Sequence, residues 1–283
     1  MISVKQTPRI LASRAASLQL LMARQSLESA LLSDSKLKTR LKDAHSSLSE
    51  STSKLKDSLS FTVLESSLIS KGLGEWDPVN HIGRIQSNWE SLSTILWTLK
   101  ILDKYPDATK NCDHKSVFES TAMIPALPDT ITSFIDYFTN GAGKSDHLIN
   151  NDLLIHEINK TEAYFWRSQA QIVLKLKTDM KSSNPPDTSK MNKQLRNLVE
   201  NIETVISTAS SRAMSSKLVD SIVDGDFKVD GVKYGDLSEE IVLNLAGISS
   251  RRLETFGWIV GSNEMEVEQV KLINPINALW API

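Results

Sequence analysis

A single cysteine, Cys112, stands in 283 residues. An internal disulfide is therefore impossible, and a cysteine-based metal site is not expected. The histidines are His45, His81, His114, His147 and His156. None forms the His-x-x-x-His or His-Glu-x-x-His pair by which a helix presents zinc ligands. Cys112 and His114 alternate, but two ligands do not make a zinc site, and neighbouring loop residues seldom align as nucleophile and base. There is no Gly-x-Ser-x-Gly elbow. The glycines of Asn140-Gly141-Ala142-Gly143 follow no strand, and Lys144-Ser145 does not complete a phosphate-binding loop. No apolar run reaches the 18 residues of a membrane span. The net charge of -2 supplies no field for nucleic acid or an acidic membrane, and Arg251-Arg252 and the lysines from Lys36 to Lys42 read as solvated or paired charges. These absences lead to the expectation of no catalytic residue, no cofactor, no metal site, no nucleic-acid partner and no membrane insertion.

Apolar residues make up 40% of the chain and charged residues 23%, an ordinary globular balance. A single domain of this length buries about three quarters of its unfolded surface. The dominant pattern is helical. Ile85, Trp89, Leu92, Leu96 and Leu99 step by four, three, four and three, a stripe along one helix face that Ile95 and Leu102 widen. Glu90, Trp97 and Ile101 fall within about 40° of one another on another side. A helix with an indole and an isoleucine away from its main stripe is covered on two sides, so a helix over Ile85–Leu102 is expected to anchor the core. Glu90 on a covered side needs a cation or several donors. Arg167 and Arg252 are the expected partners, because a guanidinium meets a carboxylate bidentately and stacks on indoles.

The rest of the chain follows in order. A helix is expected from about Arg9 to Leu32, with Pro8 at its start. The segment 33–60, rich in Ser, Lys and Asp, reads as a helix with a narrow apolar edge, or else as a flexible insertion. Helical pattern returns at 61–70, at 116–121, and up to Phe138 behind Asp129 as a cap. A second strong helix runs from Asn151 to Leu176, its stripe Ile155, Ile158, Phe165, Ile172 and Leu176 interrupted by Glu162 and Gln169. Residues 178–190 read as a loop, 195–206 as a helix, and 218–223 as a further helix. One β signal stands out. Phe227-Lys228-Val229 and Val232-Lys233-Tyr234 flank Asp230-Gly231, the composition of a type I′ hairpin. The last major helix starts at Ser238, with the stripe Val242, Ala246, Ser249, Leu253, Phe256 and Val260, while Arg251, Arg252 and Trp258 project from other sides. A tail, 262–283, carries Trp280. The fold class expected is mainly α: a single compact helical domain over 1–283 with one short β-hairpin near 227–234.

Trp89-Glu90 with Leu96-Trp97-Thr98-Leu99, Trp166-Arg167, and Arg252 through Phe256-Gly257-Trp258-Ile259-Val260-Gly261 occur in order with the hairpin Asp226–Tyr234 and Asp236-Leu237-Ser238. Together with Ser13-Arg14-Ala15-Ala16-Ser17-Leu18 and Cys112-Asp113, these patches resemble the uncharacterised family catalogued as domain of unknown function 4272, over about residues 10 to 261. The chain departs from it at Arg251, where members usually carry glutamate, and at Gly257-Trp258, where Asn-Trp is usual. The resemblance implies an all-helical fold and supplies no activity.

Two readings of function follow. One is a non-enzymatic protein-interaction or scaffold module that meets an unknown protein partner through the polar segment 33–60 or Trp280. The other is a small-ligand binder or enzyme in which Glu90, Glu162, Arg167 and Arg252 line a cavity walled by Trp89, Trp97, Trp166 and Trp258. The first is favoured. The first 27 residues carry Lys5, Arg9, Arg14 and Arg24 and no acid, the composition of a mitochondrial transit peptide. Ile10, Ala15, Leu18, Leu21 and Met22 suit a structural first helix equally, and with the resemblance at Ser13–Leu18 the expectation is a cytoplasmic protein whose first helix belongs to the fold.

Overall fold

A computed structural model describes residues 2–121, 123, 126–140, 147–182 and 191–262. The tail with Trp280, the glycines at 141 and 143 with Lys144-Ser145, and most of the expected 178–190 loop lie outside the described residues. The chain is mainly α, with one small antiparallel sheet. In order come α1 (Pro8–Ser33), α2 (Lys38–Lys54), α3 (Val63–Ile69), α4 (Gly83–Gln86), α5 (Asn88–Thr98), α6 (His114–Ser120), α7 (Pro128–Asn140), α8 (Asn151–Asp179) and α9 (Lys193–Ser215). Strands β1 (Ile222–Val223), β2 (Asp226–Val229) and β3 (Val232–Lys233) and helix α10 (Glu239–Ile259) complete the order. Among the described residues, one compact unit comprises 2–107, 111–155 and 254–262, and a second comprises 108–110 and 156–253.

In the first unit α1 is the hub. It packs against α2, α3, α4, α5 and α7. Thr7 caps it, accepting from the Ile10 N–H, and Pro8 occupies its first turn, where a missing N–H costs nothing. Leu11, Ala12, Ala15, Ala16, Leu18, Leu20, Leu21 and Met22 are all fully buried, so α1 is covered on every side over three turns. Arg14 and Arg24, two of the charges that suggest a transit peptide, are buried with it. Helix α5 is likewise buried at every residue, as its two-sided pattern requires. It is shorter than the periodicity predicts. Lys100 adopts φ 57°, and the Ile101 N–H reaches back to the Leu96 carbonyl at 2.9 Å, a left-handed termination. Ile101 and Leu102 thus lie beyond the helix. The sequence gives no warning, because the left-handed position is filled by lysine and not glycine. Helix α2 exposes most of its surface and buries Leu48 and Ser51, the narrow apolar edge expected. In α7 the first residue is Pro128, so Asp129 sits inside the first turn and is not the cap.

In the second unit the sheet runs β1-β2-β3. The predicted hairpin forms in register, with Val229 opposite Val232 and Lys228 opposite Lys233. Asp230 at φ 48° and Gly231 at φ 87° give the two positive dihedrals of a type I′ turn. The helix expected over 218–223 is replaced by a loop and β1, which pairs Ile222 with Phe227 and Val223 with Asp226. The reason is a second turn of the same kind, Asp224 at φ 47° and Gly225 at φ 74°. The ribbon leans on helices through one apolar cluster that joins Tyr164, Ala209, Ala213, Phe227, Val229, Tyr234 and Leu245.

The stripe expected along α8 needs correction within this unit. Ile158 is fully buried, but Ile172 is 64% exposed and Gln169 is exposed. The buried face passes instead through Tyr164, Arg167 and Ala170, with Arg167 about 180° around the helix from Ile158. A face made of tyrosine, arginine and alanine escapes any count of aliphatic periodicity.

Candidate functional site

The polar residues singled out by sequence, Glu90, Glu162, Arg167 and Arg252, are all buried. Arg167 meets a different carboxylate from the one expected. The carboxylate that meets Arg167 is Asp226. Arg167 Nε donates to Asp226 Oδ1 at 2.6 Å and Nη2 to Oδ2 at 2.7 Å. The Asp226 oxygens also accept the Phe227 N–H at 2.8 Å and the Gly235 N–H at 3.0 Å. Arg167 Nη2 donates as well to Gln171 Oε1 at 3.0 Å. The guanidinium lies over the Tyr234 ring, 4.4 Å from its centroid. Burial pushes the Tyr234 phenol up to about 12, against the pull of the Arg167 charge. The Tyr234 hydroxyl and Arg167 Nη1 take no partner among the described residues. Arg252 Nη2 donates to the Lys110 carbonyl at 2.9 Å. In the first unit Glu90 Oε1 accepts the Cys112 N–H at 2.9 Å.

Two further arginine–carboxylate pairs were not foreseen. In the first unit Arg14 holds Glu65 with both terminal nitrogens, Nη2 meeting Oε1 at 2.8 Å. Glu65 also closes a capping box with Thr62 at the start of α3. Burial alone would push the Glu65 carboxyl up, but the Arg14 guanidinium and the Thr62 contacts outweigh it and hold it below the usual carboxylate range. Arg24 Nη1 stands 2.5 Å from Glu28 Oε1, while Nη2 donates to the Gly72 carbonyl at 2.8 Å and the guanidinium faces the Trp76 ring. Burial lowers the Arg24 pKa. Glu28 accepts the Gly74 N–H at 2.8 Å. Only the Arg24/Glu28 spacing of four on one helix was a legible signal; the other two pairs span 51 and 59 residues.

Trp89, Trp97 and Trp258 are buried, and Trp166 is partly buried against two apolar clusters of the second unit. Trp89 stacks on His114 with centroids 4.8 Å apart, and Trp97 packs on Tyr105 and Phe256. The His114 ring is thus engaged by an indole, and burial lowers its pKa against the opposing pull of Glu90 and Asp113. Cys112 is buried. Among the described residues no group of three or more His, Cys, Asp or Glu side chains could hold a metal ion, and no helix is long and apolar enough to cross a membrane.

Cavities open in the first unit beside α7 and beside α3. One, of about 610 Å³, lies between α7 and the end of α6, with Ile101, Thr121, Phe134 and Phe138 among its walls. Another, of about 390 Å³, lies between the end of α2 and α3. Comparison of the chain with family models, with curated proteins and with solved structures finds no match in any of the three.

Proposed function

We propose that the chain is a non-enzymatic protein-interaction module. The observation that supports this reading is where the buried charge goes. Arg14 is spent on Glu65, Arg24 on Glu28 and Arg167 on Asp226, each pair almost completely excluded from water. A catalytic acid or base must reach the proton it moves, and a carboxylate held by a guanidinium fork and two backbone N–H groups is committed to packing. Direct pairing of this kind fixes how elements meet. The ligand-cavity alternative has Glu90, Glu162, Arg167 and Arg252 lining one void, and the engagement of Arg167 by Asp226 favours the interaction reading over it.

The module meets its protein partner through α2, whose lysines, serines and acids project from the fold, with Trp280 of the tail as a second contact. The resemblance to the uncharacterised family adds no activity to this reading. Pull-down with mass spectrometry tests it, run in parallel on the parent chain, a Lys38→Glu/Lys42→Glu variant and a Trp280→Ala variant. A protein captured by the parent and lost from either variant is the expected outcome. The same captured set from all three would overturn the assignment of these surfaces.

A further inference from the structure

The cavity between α2 and α3 has the chemistry of an anion site. Ser49, Thr52, Ser53 and Lys56 face it from the end of α2 and the turn that follows, spaced three, four and seven residues from the first. Phe61 enters from the connection, and Ser66, Ile69 and Ser70 from α3. At about 390 Å³ the space falls within the range of small-molecule sites. At a water's share of about 30 Å³ per non-hydrogen atom, it holds roughly a dozen such atoms.

The polar groups divide by what they have left to offer. Thr52 and Ser70 donate their hydroxyl hydrogens to the Leu48 and Ser67 carbonyls, each at 2.9 Å. The hydroxyls of Ser49, Ser53 and Ser66 and the ammonium of Lys56 make no bond to any described residue. Glu50, on the same helix, is occupied by Lys54 at 2.6 Å and does not neutralise Lys56. Three free O–H donors and one uncommitted ammonium therefore border one space, and no carboxylate lines it. Serine hydroxyls donate or accept as the ligand requires, so the sign of the ligand is set by Lys56, and a cation with no carboxylate among the lining residues selects an anion. The remaining wall, Phe61 and the buried Ile69, is apolar and suits a hydrocarbon body.

We infer that this pocket binds a small organic anion, its carboxylate or phosphate-monoester head on Lys56, Ser53 and Ser66 and its apolar body against Phe61 and Ile69. The site shares the C-terminal end of α2 with the partner surface proposed above, but Lys38 and Lys42, the positions tested there, do not line it.

Isothermal titration calorimetry on the full chain with octanoate and with phenyl phosphate tests this, with 1-octanol and octylamine as neutral and cationic counterparts. At least one anion should bind in the millimolar range or tighter, and which of the two binds identifies the head group. Octanol and octylamine should bind far more weakly. Lys56→Met keeps the aliphatic stem and should weaken the anion about tenfold or more, and Ser53→Ala/Ser66→Ala should weaken it while Lys56 remains. Both variants alter exposed side chains, and circular dichroism confirms that they fold. No heat from either anion at millimolar concentration, equal binding of octanol, or unchanged binding by Lys56→Met would each overturn the assignment. Loss of a protein partner from the Lys38/Lys42 variant bears only on the interaction reading.

Discussion

Arg167 and Asp226 face each other fork to fork, and the two parallel hydrogen bonds between them tie the middle of α8 to the first residue of β2. Their side chains are 0% and 2% exposed. A three-stranded ribbon of two to four residues per strand is marginal alone, so this pair and the Tyr164–Phe227 contact determine where it sits on α8.

Removing one member of that pair should be far worse than removing both. Asp226→Leu or Arg167→Met alone should destabilise by about 3–5 kcal/mol, while the two substitutions together should recover much of the loss. Urea unfolding of the four proteins gives the coupling. A value below about 0.5 kcal/mol would show that the fork contributes nothing beyond its packing.

Tyr234→Phe should leave stability at neutral pH unchanged or slightly raised. The lost hydroxyl is buried and takes no described partner, and the ring beneath Arg167 remains. The effect of alkali follows from the raised phenol. With 10.0 for the free group and about 12 in the fold, the protonated form is favoured by folding. The contribution is complete below pH 10.0 and is lost as pH rises toward about 12. In a spectrophotometric titration the late step assigned to Tyr234 should be present in the parent and missing from the variant.

Glu65 gives the acid counterpart. Its carboxyl is held below the ordinary 4.5, so the stability it confers is present above pH 4.5 and declines as pH falls through the lower folded value. Glu65→Gln should be less stable at pH 7 and should show a shallower loss of melting temperature below that point. An acid limb of identical slope in both proteins would show that Arg14 does not hold Glu65 ionised.

The two turn glycines should respond unequally. At Gly231 a Cβ would meet nothing within 4 Å, so Gly231→Ala carries only the left-handed penalty of about 1–2 kcal/mol. At Gly225 the Cβ would come within 2.8 Å of Ser207 Oγ, and Gly225→Ala should cost clearly more. Chemical denaturation checks the order, and equal losses would contradict it.

Trp97→Ala should destabilise by about 3–5 kcal/mol. The indole is 4% exposed and wedged between Tyr105 and Phe256. A variant melting at the parent temperature would remove Trp97 from the core.

How much of this was legible follows from where each signal resides. Local signals were readable: the stripe of α5, the Pro8 start of α1, and Asp230-Gly231 as a turn. The second turn, Asp224-Gly225, carries the same signal, but the apolar positions from Leu218 to Val223 just before it also fit a helix. The end of α5 was hidden because Lys100 fills a position that glycine usually marks. The arginine pairs were half visible. Arg167 could be read as a buried cation, but Asp226 lies 59 residues away and nothing in local pattern ranks it above the other acids. The α2–α3 cavity was not readable at all, since serines at exposed helical spacing are indistinguishable from an ordinary solvated face.

The opening segment of the chain is fastened near the described end of the chain. The Lys5 and Gln6 N–H groups both donate to the Ile259 carbonyl, and the Gln6 side chain donates to the Trp258 carbonyl at 3.0 Å. Phe256 of the same helix end covers Trp97. On the ribosome, then, the first unit is made almost entirely before it can be finished. Some 150 residues of that unit emerge, the buried helices α1 and α5 among them, and the piece that closes them arrives some 100 residues later. A nascent chain stalled anywhere between leaves Trp97 uncovered and α1 without its clasp. Such contacts between distant parts of a chain form slowly and leave sticky intermediates. Translation pauses and chaperone supply should therefore govern the yield of this protein more than its final stability does.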